Sequence, residues 1–266
     1  MEKCLVTKLL GKVSGDLPYF GALKITVKKT DNITIATQRR LVLNTADDNC
    51  RIFTADGSSK LSDKEDLSNP SSSFVFKDMY KPSGNGSVEI YFLDGDYTVY
   101  ITSKYNISYL GNWGKFGNFL YDIEELKYSR SLYQLFIQNL NVTGDISSLS
   151  GMTKLTNLSL NNLNVTGDIS SLKGMTALTK LSLNDDLKVI GAFESLVSAL
   201  SAKRTSGSCL YWLSGSNITY NGERWVTGKK FVEFNSDGCN VYAGENNTGK
   251  KIASYVKSTD TWSYNN

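Results

Sequence analysis

One block of text is written twice in this chain. Residues 141–162 read NVTGDISSLSGMTKLTNLSLNN, and residues 164–185 read NVTGDISSLKGMTALTKLSLND. The step between copies is 23 residues, from Leu140 to Leu163. Apolar residues hold fixed places within it: Leu140, Val142, Ile146, Leu149, Met152, Leu155, Leu158 and Leu160, then Leu163, Val165, Ile169, Leu172, Met175, Leu178, Leu181 and Leu183. A weaker copy lies one step earlier, matching at Asp122, Ile123, Leu126, Leu132, Leu135 and Ile137. One step later, with a one-residue offset, Leu187, Val189, Gly191, Phe193 and Leu196 take up the pattern.

A fixed period in the twenties carrying L-x-x-L-x-L predicts a leucine-rich repeat. Each L-x-x-L-x-L becomes a short strand of a parallel sheet, and the ISSLKGMT stretch returns along the convex side. One turn cannot bury its own leucines, so three or more must stack, with unlike turns at the ends. In the last turn Phe193, Leu196, Val197 and Leu200 fall at i, i+3, i+4 and i+7, which predicts an amphipathic helix covering the end. Gly144, Gly167 and Gly191 recur at one position, where positive φ or close backbone approach is expected. Asp145 and Asp168 follow two of them, and accepting backbone N–H bonds in the turn is their expected role.

Around this centre the chain reads as strands, so the predicted class is mainly β. Residues 1–110 are read as an N-terminal antiparallel β-domain of sandwich or barrel type, with runs at 22–29, 32–38, 39–45, 51–57, 73–80, 87–103 and 107–111. Asp94-Gly95 between two alternating runs predicts a hairpin there, and residues 58–73 read as an exposed loop. Residues 117–205 form the solenoid of about three to four turns with its terminal helix. Residues 207–266 are a C-terminal β-hairpin region packed on the repeat, in which CLYWLS (209–214) reads as the final repeat strand. Asp237-Gly238 predicts a hairpin in this tail, and ITYNGERW and STDTWSYN predict paired aromatic strands.

Several chemistries are excluded or disfavoured. The chain has 266 residues and no histidine, which removes the commonest general base and metal ligand and any Ser-His-Asp or Cys-His site. Cys4, Cys50, Cys209 and Cys239 lack C-x-x-C spacing, and the opening MEKCLVTKLLGKVSGD is a poor signal peptide, so the thiols are expected to be reduced. The net charge of +3 is mild and the basic doublets are scattered, which speaks against a nucleic-acid partner; no segment is long and apolar enough to insert in a membrane. Asp94 and Asp96 read as turn residues, and Glu124 and Glu125 as a solvated arc, rather than paired catalytic carboxylates. TADDNC and LNDDLK lack the closing glutamate of a calcium loop, and GNWGKFGN lacks phosphate-loop spacing. No catalytic residue, metal ligand or cofactor is therefore assigned.

The wording NVTGDISSLxGMTxLTxLSLNx, over roughly residues 117–205, resembles the short bacterial leucine-rich repeats of gut Bacteroidetes proteins and of the crAss-like tailed phages infecting them. The resemblance implies binding or scaffolding rather than catalysis. It points to a virion structural or adhesive protein (fibre, decoration or tail accessory component), made in the bacterial host cytoplasm and homo-oligomeric. Its partners would be other virion proteins or a host surface glycan or protein. The alternative is a bacterial carbohydrate- or protein-binding module in the cytoplasm or at the cell surface. One departure is visible. Many such repeats carry asparagine where this chain has Leu140 and Leu163, so no asparagine ladder is expected at that position.

Partners of a solenoid dock on the exposed positions of the L-x-x-L-x-L strands. Here these are read as Tyr133, Gln134 and Phe136, then Thr156, Asn157 and Ser159, then Thr179, Lys180 and Ser182, followed by Tyr211, Trp212 and Ser214. Tyr133, Gln134, Phe136, Asn157, Lys180, Tyr211 and Trp212 are the candidate binding residues. Aromatics in the outer turns fit either a contact surface or packing on flanking structure. The same two readings apply to residues 109–121 and to Trp225 and Trp262.

Overall fold

A computed structural model describes residues 23–27, 40–45, 52–54, 61–62, 87–92, 97–101, 107–111, 119–127, 129–138, 141–161, 164–184, 187–214, 217–225 and 228–265. The strands expected at 32–38 and 73–80, the glycine-rich stretch 112–118, Asp94 to Asp96, Cys4, Cys50, Leu140 and Leu163 lie outside the described residues. The protein is mainly β, with its strands gathered into two sheets.

The repeat builds the middle of both sheets. Strands β9 (Gln134–Gln138), β11 (Asn157–Asn161) and β13 (Lys180–Asn184) pair in parallel, with Gln134, Asn157 and Lys180 in one register row. The 23-residue period has thus become one ladder step. Each coil then crosses to the other sheet as β10 (Asn141–Asp145), β12 (Asn164–Asp168) and β14 (Lys188–Ala192), also parallel. The return arcs are short 3₁₀ helices, Ile123–Leu126, Ile146–Leu149 and Ile169–Gly174, as i→i+3 turns suit so brief a reversal. Val142, Ile146, Leu149, Leu158, Leu160, Val165, Ile169, Leu172, Leu181 and Leu183 are fully buried in one core. Each such leucine contributes about 1.5–3 kcal/mol from apolar burial.

Gly144, Gly167 and Gly191 adopt φ of +107°, +104° and +114°. They are glycines for a second reason. A Cβ on Gly167 would stand 2.5 Å from Asp145 Oδ1, and one on Gly191 would stand 2.6 Å from Asp168 Oδ1. Asp145 and Asp168 hold these positions because their carboxylates cap the 3₁₀ arcs, accepting from Ser147 N and Ser170 N at 2.8 Å. Asp122 does the same for Glu124 N at 2.9 Å, beneath Gly144. Each coil's aspartate therefore fills the space that the next coil's glycine leaves.

The expected helix is present as α1 (Phe193–Ser201), burying Phe193, Leu196, Val197 and Leu200. It does not cap the end of the stack. It packs beside the Ile169–Gly174 arc, in the place of the next return arc. The longer helix stretches the ladder spacing, so that Lys180 pairs with Leu210 of β15 (Ser208–Trp212) instead of a residue 23 positions on. Arg204 ties this corner together, donating to Leu178 O at 2.7 Å and Ser208 O at 3.2 Å with its guanidinium over Phe234.

Strand β15 is both the last parallel strand of the twelve-stranded sheet and the first of an antiparallel tail, as expected of CLYWLS. It pairs with β18 (Lys230–Asn235), which continues to β19 (Gly238–Ala243), β20 (Lys251–Val256) and the edge strand β21 (Thr261–Tyr264). The turn before Gly238 joins β18 and β19 as the Asp-Gly signal implies. In the other sheet β16 (Asn217–Tyr220) and β17 (Glu223–Arg224) close a tight hairpin through Asn221 and Gly222, both at positive φ.

The N-terminal strands extend the same sheets. β1 (Leu23–Val27), β3 (Ile52–Thr54), β6 (Tyr97–Ile101) and β8 (Phe119–Asp122) belong to the nine-stranded sheet. β2 (Arg40–Thr45), β4 (Leu61–Ser62), β5 (Ser87–Phe92) and β7 (Ile107–Gly111) belong to the twelve-stranded one. This overturns the hairpin expected at Asp94-Gly95. β5 pairs with β2 and β4, whereas β6 pairs with β1 and β3, so the two strands flanking that dipeptide join different sheets. β4 also lies within the stretch 58–73 expected to be loop.

Candidate interaction face

The outer face of the twelve-stranded sheet carries the candidate residues in three register rows. The first runs Gln134, Asn157, Lys180 and Leu210. The second runs Phe136, Ser159, Ser182 and Trp212. The third starts Gln138, Asn161 and Asn184. At ~4.8 Å per strand, Phe136 and Trp212 stand about 14 Å apart with two serines between them. Lys180 and Trp212 are exposed, and Gln134, Phe136 and Asn157 are half-buried. Tyr133, more than half exposed, leads into β9 from outside the rows.

Two expectations change here. Tyr211 is not on this face: it pairs with Leu181, is fully buried, and meets the Phe193 ring edge-on at 5.1 Å. Its neighbour Leu210 takes the place in the row. Ser159 and Ser182 are buried too, because small side chains in a close-packed parallel ladder are covered by the rows beside them. Thr156 and Thr179 spend their hydroxyls on stacking, donating to the carbonyls of Tyr133 and Thr156 at 3.1 Å.

The third row was missed. Asn184 is buried, with its amide 2.6 Å from Ser182 Oγ and 2.9 Å from Ser214 Oγ; its nitrogen faces Ser214 and the Trp212 carbonyl. An asparagine position thus exists, directly after the final leucine rather than three residues beyond it. The 23-residue spacing of Gln138, Asn161 and Asn184 was the available signal.

At the Trp212 end the face gains charge. The Lys229 ammonium sits 5.0 Å from the Trp212 ring centre and pairs with Glu245, whose carboxyl it holds below the usual carboxylate range. At the other end Tyr109 and Phe136 lie 6.0 Å apart. The face is therefore amide-rich in the middle and aromatic at both margins.

Trp225 and Trp262 lie elsewhere. Trp225 is buried against Phe193 at 5.2 Å, and Trp262 packs on Tyr255 at 5.2 Å, so both close the end of the core. Lys230 points into this cluster, 3.5 Å from the Trp225 ring centre and 4.6 Å from that of Tyr220. Burial pulls its pKa down to about 8. Glu194 accepts from Asn221 N at 2.6 Å and from the Tyr264 hydroxyl at 2.9 Å.

Cys209 and Cys239 are free, buried thiols pushed up to about 12 and about 11 by desolvation, the opposite of an activated nucleophile. Among the described residues no three of His, Cys, Asp and Glu are grouped to hold a metal ion. Among the same residues no helix is long and apolar enough to cross a membrane.

No family model and no curated protein matches the sequence. Among solved structures, the chain is similar to one in the crystal structure of the BIR3–SERK2 complex from Arabidopsis thaliana, at 28% identity and a TM-score of 0.30. That match covers 38% of this chain and 53% of the other, about half of that protein's length.

Proposed function

We propose that this chain is a non-enzymatic virion structural or adhesive protein that works through protein–protein contacts made by a short leucine-rich-repeat solenoid. The observation that carries a binding role is the outer face just described. Gln134, Phe136, Asn157, Lys180 and Trp212 are held in fixed register by a ladder whose threonines are already committed to stacking. Such a face is rigid and loses little side-chain freedom on docking, which favours binding. Aromatic margins around amides suit a protein or glycan partner, since rings supply apolar contact and amides set direction. The virion role rests on the wording of the repeat and its resemblance to phage and gut Bacteroidetes sequences. It carries with it a homo-oligomeric state and synthesis in a bacterial host cytoplasm.

The test is mass spectrometry of purified phage particles from a lysate of cells carrying the gene with its genomic neighbours. Peptides of this chain should appear in the particles, and Phe136→Ala/Trp212→Ala should reduce its incorporation at least tenfold. Particles that form without the chain's peptides would overturn the reading. The alternative, a bacterial glycan-binding module, predicts retention on a glycan array that the same double variant abolishes.

A further inference from the structure

We propose that β21 is a homotypic docking edge, through which two copies of the chain join their twelve-stranded sheets antiparallel about a two-fold axis at Ser263. Among the described residues, each sheet ends in strands with one unpaired side, and such edges invite pairing unless they are short, charged or bulged. β17, β3 and β4 end the other borders with two or three described residues each, and β17 consists of Glu223 and Arg224. β21 has four residues, Thr261, Trp262, Ser263 and Tyr264, with no charge, no proline and no register shift against β20.

Its free side has a defined hydrogen-bonding pattern. Asn265 N donates to Ile252 O at 2.9 Å, which makes that pair a hydrogen-bonded one. Alternation along an antiparallel ladder then turns the main chain of Ser263 and Thr261 toward β20. The N–H and C=O of Trp262 and Tyr264 are left facing outward. Two copies of this pattern are self-complementary. Setting Trp262 against Tyr264 of a second copy, and Tyr264 against its Trp262, makes four main-chain bonds symmetrically, with Ser263 opposite Ser263 at the axis. An isologous contact places the axial residue against its own copy, so a charge there would meet its like, and β21 carries none. That points to a second copy of this chain as the occupant.

The edge is also held ready. Trp262 and Tyr264 stack at 6.3 Å, the Tyr264 hydroxyl is anchored on Glu194, and Tyr264 still leaves over a third of its surface exposed. Pairing would cover this ring with its counterpart and extend the aromatic layer across the axis. A strand of this length gives a small interface, so the dimer should be weak alone, with Kd of roughly tens of micromolar.

Sedimentation equilibrium of the full chain from about 1 to 500 μM tests the proposal. The parent should dimerise reversibly. Ser263→Lys and Ser263→Glu place like charges across the axis, and each should weaken dimerisation at least tenfold while melting like the parent. Their 1:1 mixture should restore a heterodimer. In parallel, the Trp262 and Tyr264 amides should exchange with solvent faster at low than at high concentration. A parent that stays monomeric throughout, a Ser263→Lys variant that dimerises like it, or variants that mixing does not rescue would each overturn the proposal. Neither Ser263 variant touches Phe136 or Trp212, so a failure here is distinct from a failure of particle incorporation.

Discussion

Replacing Gly167 by alanine should destabilise the protein far more than one methyl group suggests. Two separate effects add. The residue sits at φ +104°, where a side chain costs about 1–3 kcal/mol of backbone strain. The new Cβ would also stand 2.5 Å from Asp145 Oδ1 and 2.7 Å from its Cγ. Asp145 must then swing away and abandon the Ser147 N–H that it caps at 2.8 Å, a loss of about 1 kcal/mol. The sum is roughly 2–4 kcal/mol. Asp145→Ala alone should cost about 1 kcal/mol. Combining them should cost no more than Gly167→Ala alone, because the cap is lost only once and the clash disappears with the carboxylate. A double-mutant cycle by urea denaturation should therefore show a coupling of about 1 kcal/mol. Gly151→Ala is the control: nothing lies within 4 Å of its Cβ, and it should match or slightly exceed the parent. Strict additivity, or a Gly167→Ala variant as stable as Gly151→Ala, would refute the interlock.

Other consequences can be measured directly. Leu181→Asp buries an unpaired carboxylate among fully buried neighbours, at a cost of about 3–5 kcal/mol, and circular dichroism should show unfolding or a large drop in melting temperature. Lys230 has a folded pKa lowered from 10.5 to about 8, so between those values the unfolded chain binds more protons and stability rises with pH. The raised thiols of Cys209 and Cys239 act oppositely above pH 9 but are common to both proteins, so the parent should gain on Lys230→Met chiefly between about pH 8 and 10.5; a pH-independent difference would count against the burial of Lys230. Iodoacetamide at pH 8 should leave the Cys209 and Cys239 peptides unmodified in the native protein and label both in urea, as read by mass spectrometry.

The repeat was legible because its leucines, glycines and aspartates each answer to local geometry at a fixed period. The sequence therefore placed the buried positions, the positive-φ glycines and the capping carboxylates correctly. It misplaced Tyr211 because CLYWLS sits two positions further along the strand than its leucines suggest, with Tyr211 beside Leu181 instead of in the place of Thr179. Thr179 precedes its strand and is exposed, whereas the place of Leu181 lies inside the ladder and faces the core; Trp212, shifted equally, stays on the outer face. Asp94-Gly95 failed for another reason. Turn chemistry reports where a chain reverses, while the sheet that receives the next strand is settled by long-range pairing of β5 with β2 and of β6 with β1. On the candidate face, the aromatic and amide rows could be read from spacing. The burial of Ser159, Ser182 and Asn184 could not, because it depends on how closely adjacent coils approach.

The glycine–aspartate contact makes each coil specify its successor. A carboxylate projects from one layer, and only a layer offering a bare α-carbon can be laid upon it. Copying residues 141–163 as a unit would carry both halves of that fit, lengthening the stack by one strand in each sheet without any new kind of turn. The series stops where α1 begins, at Ala192, which follows the last glycine in the aspartate's place and has no carboxylate to project.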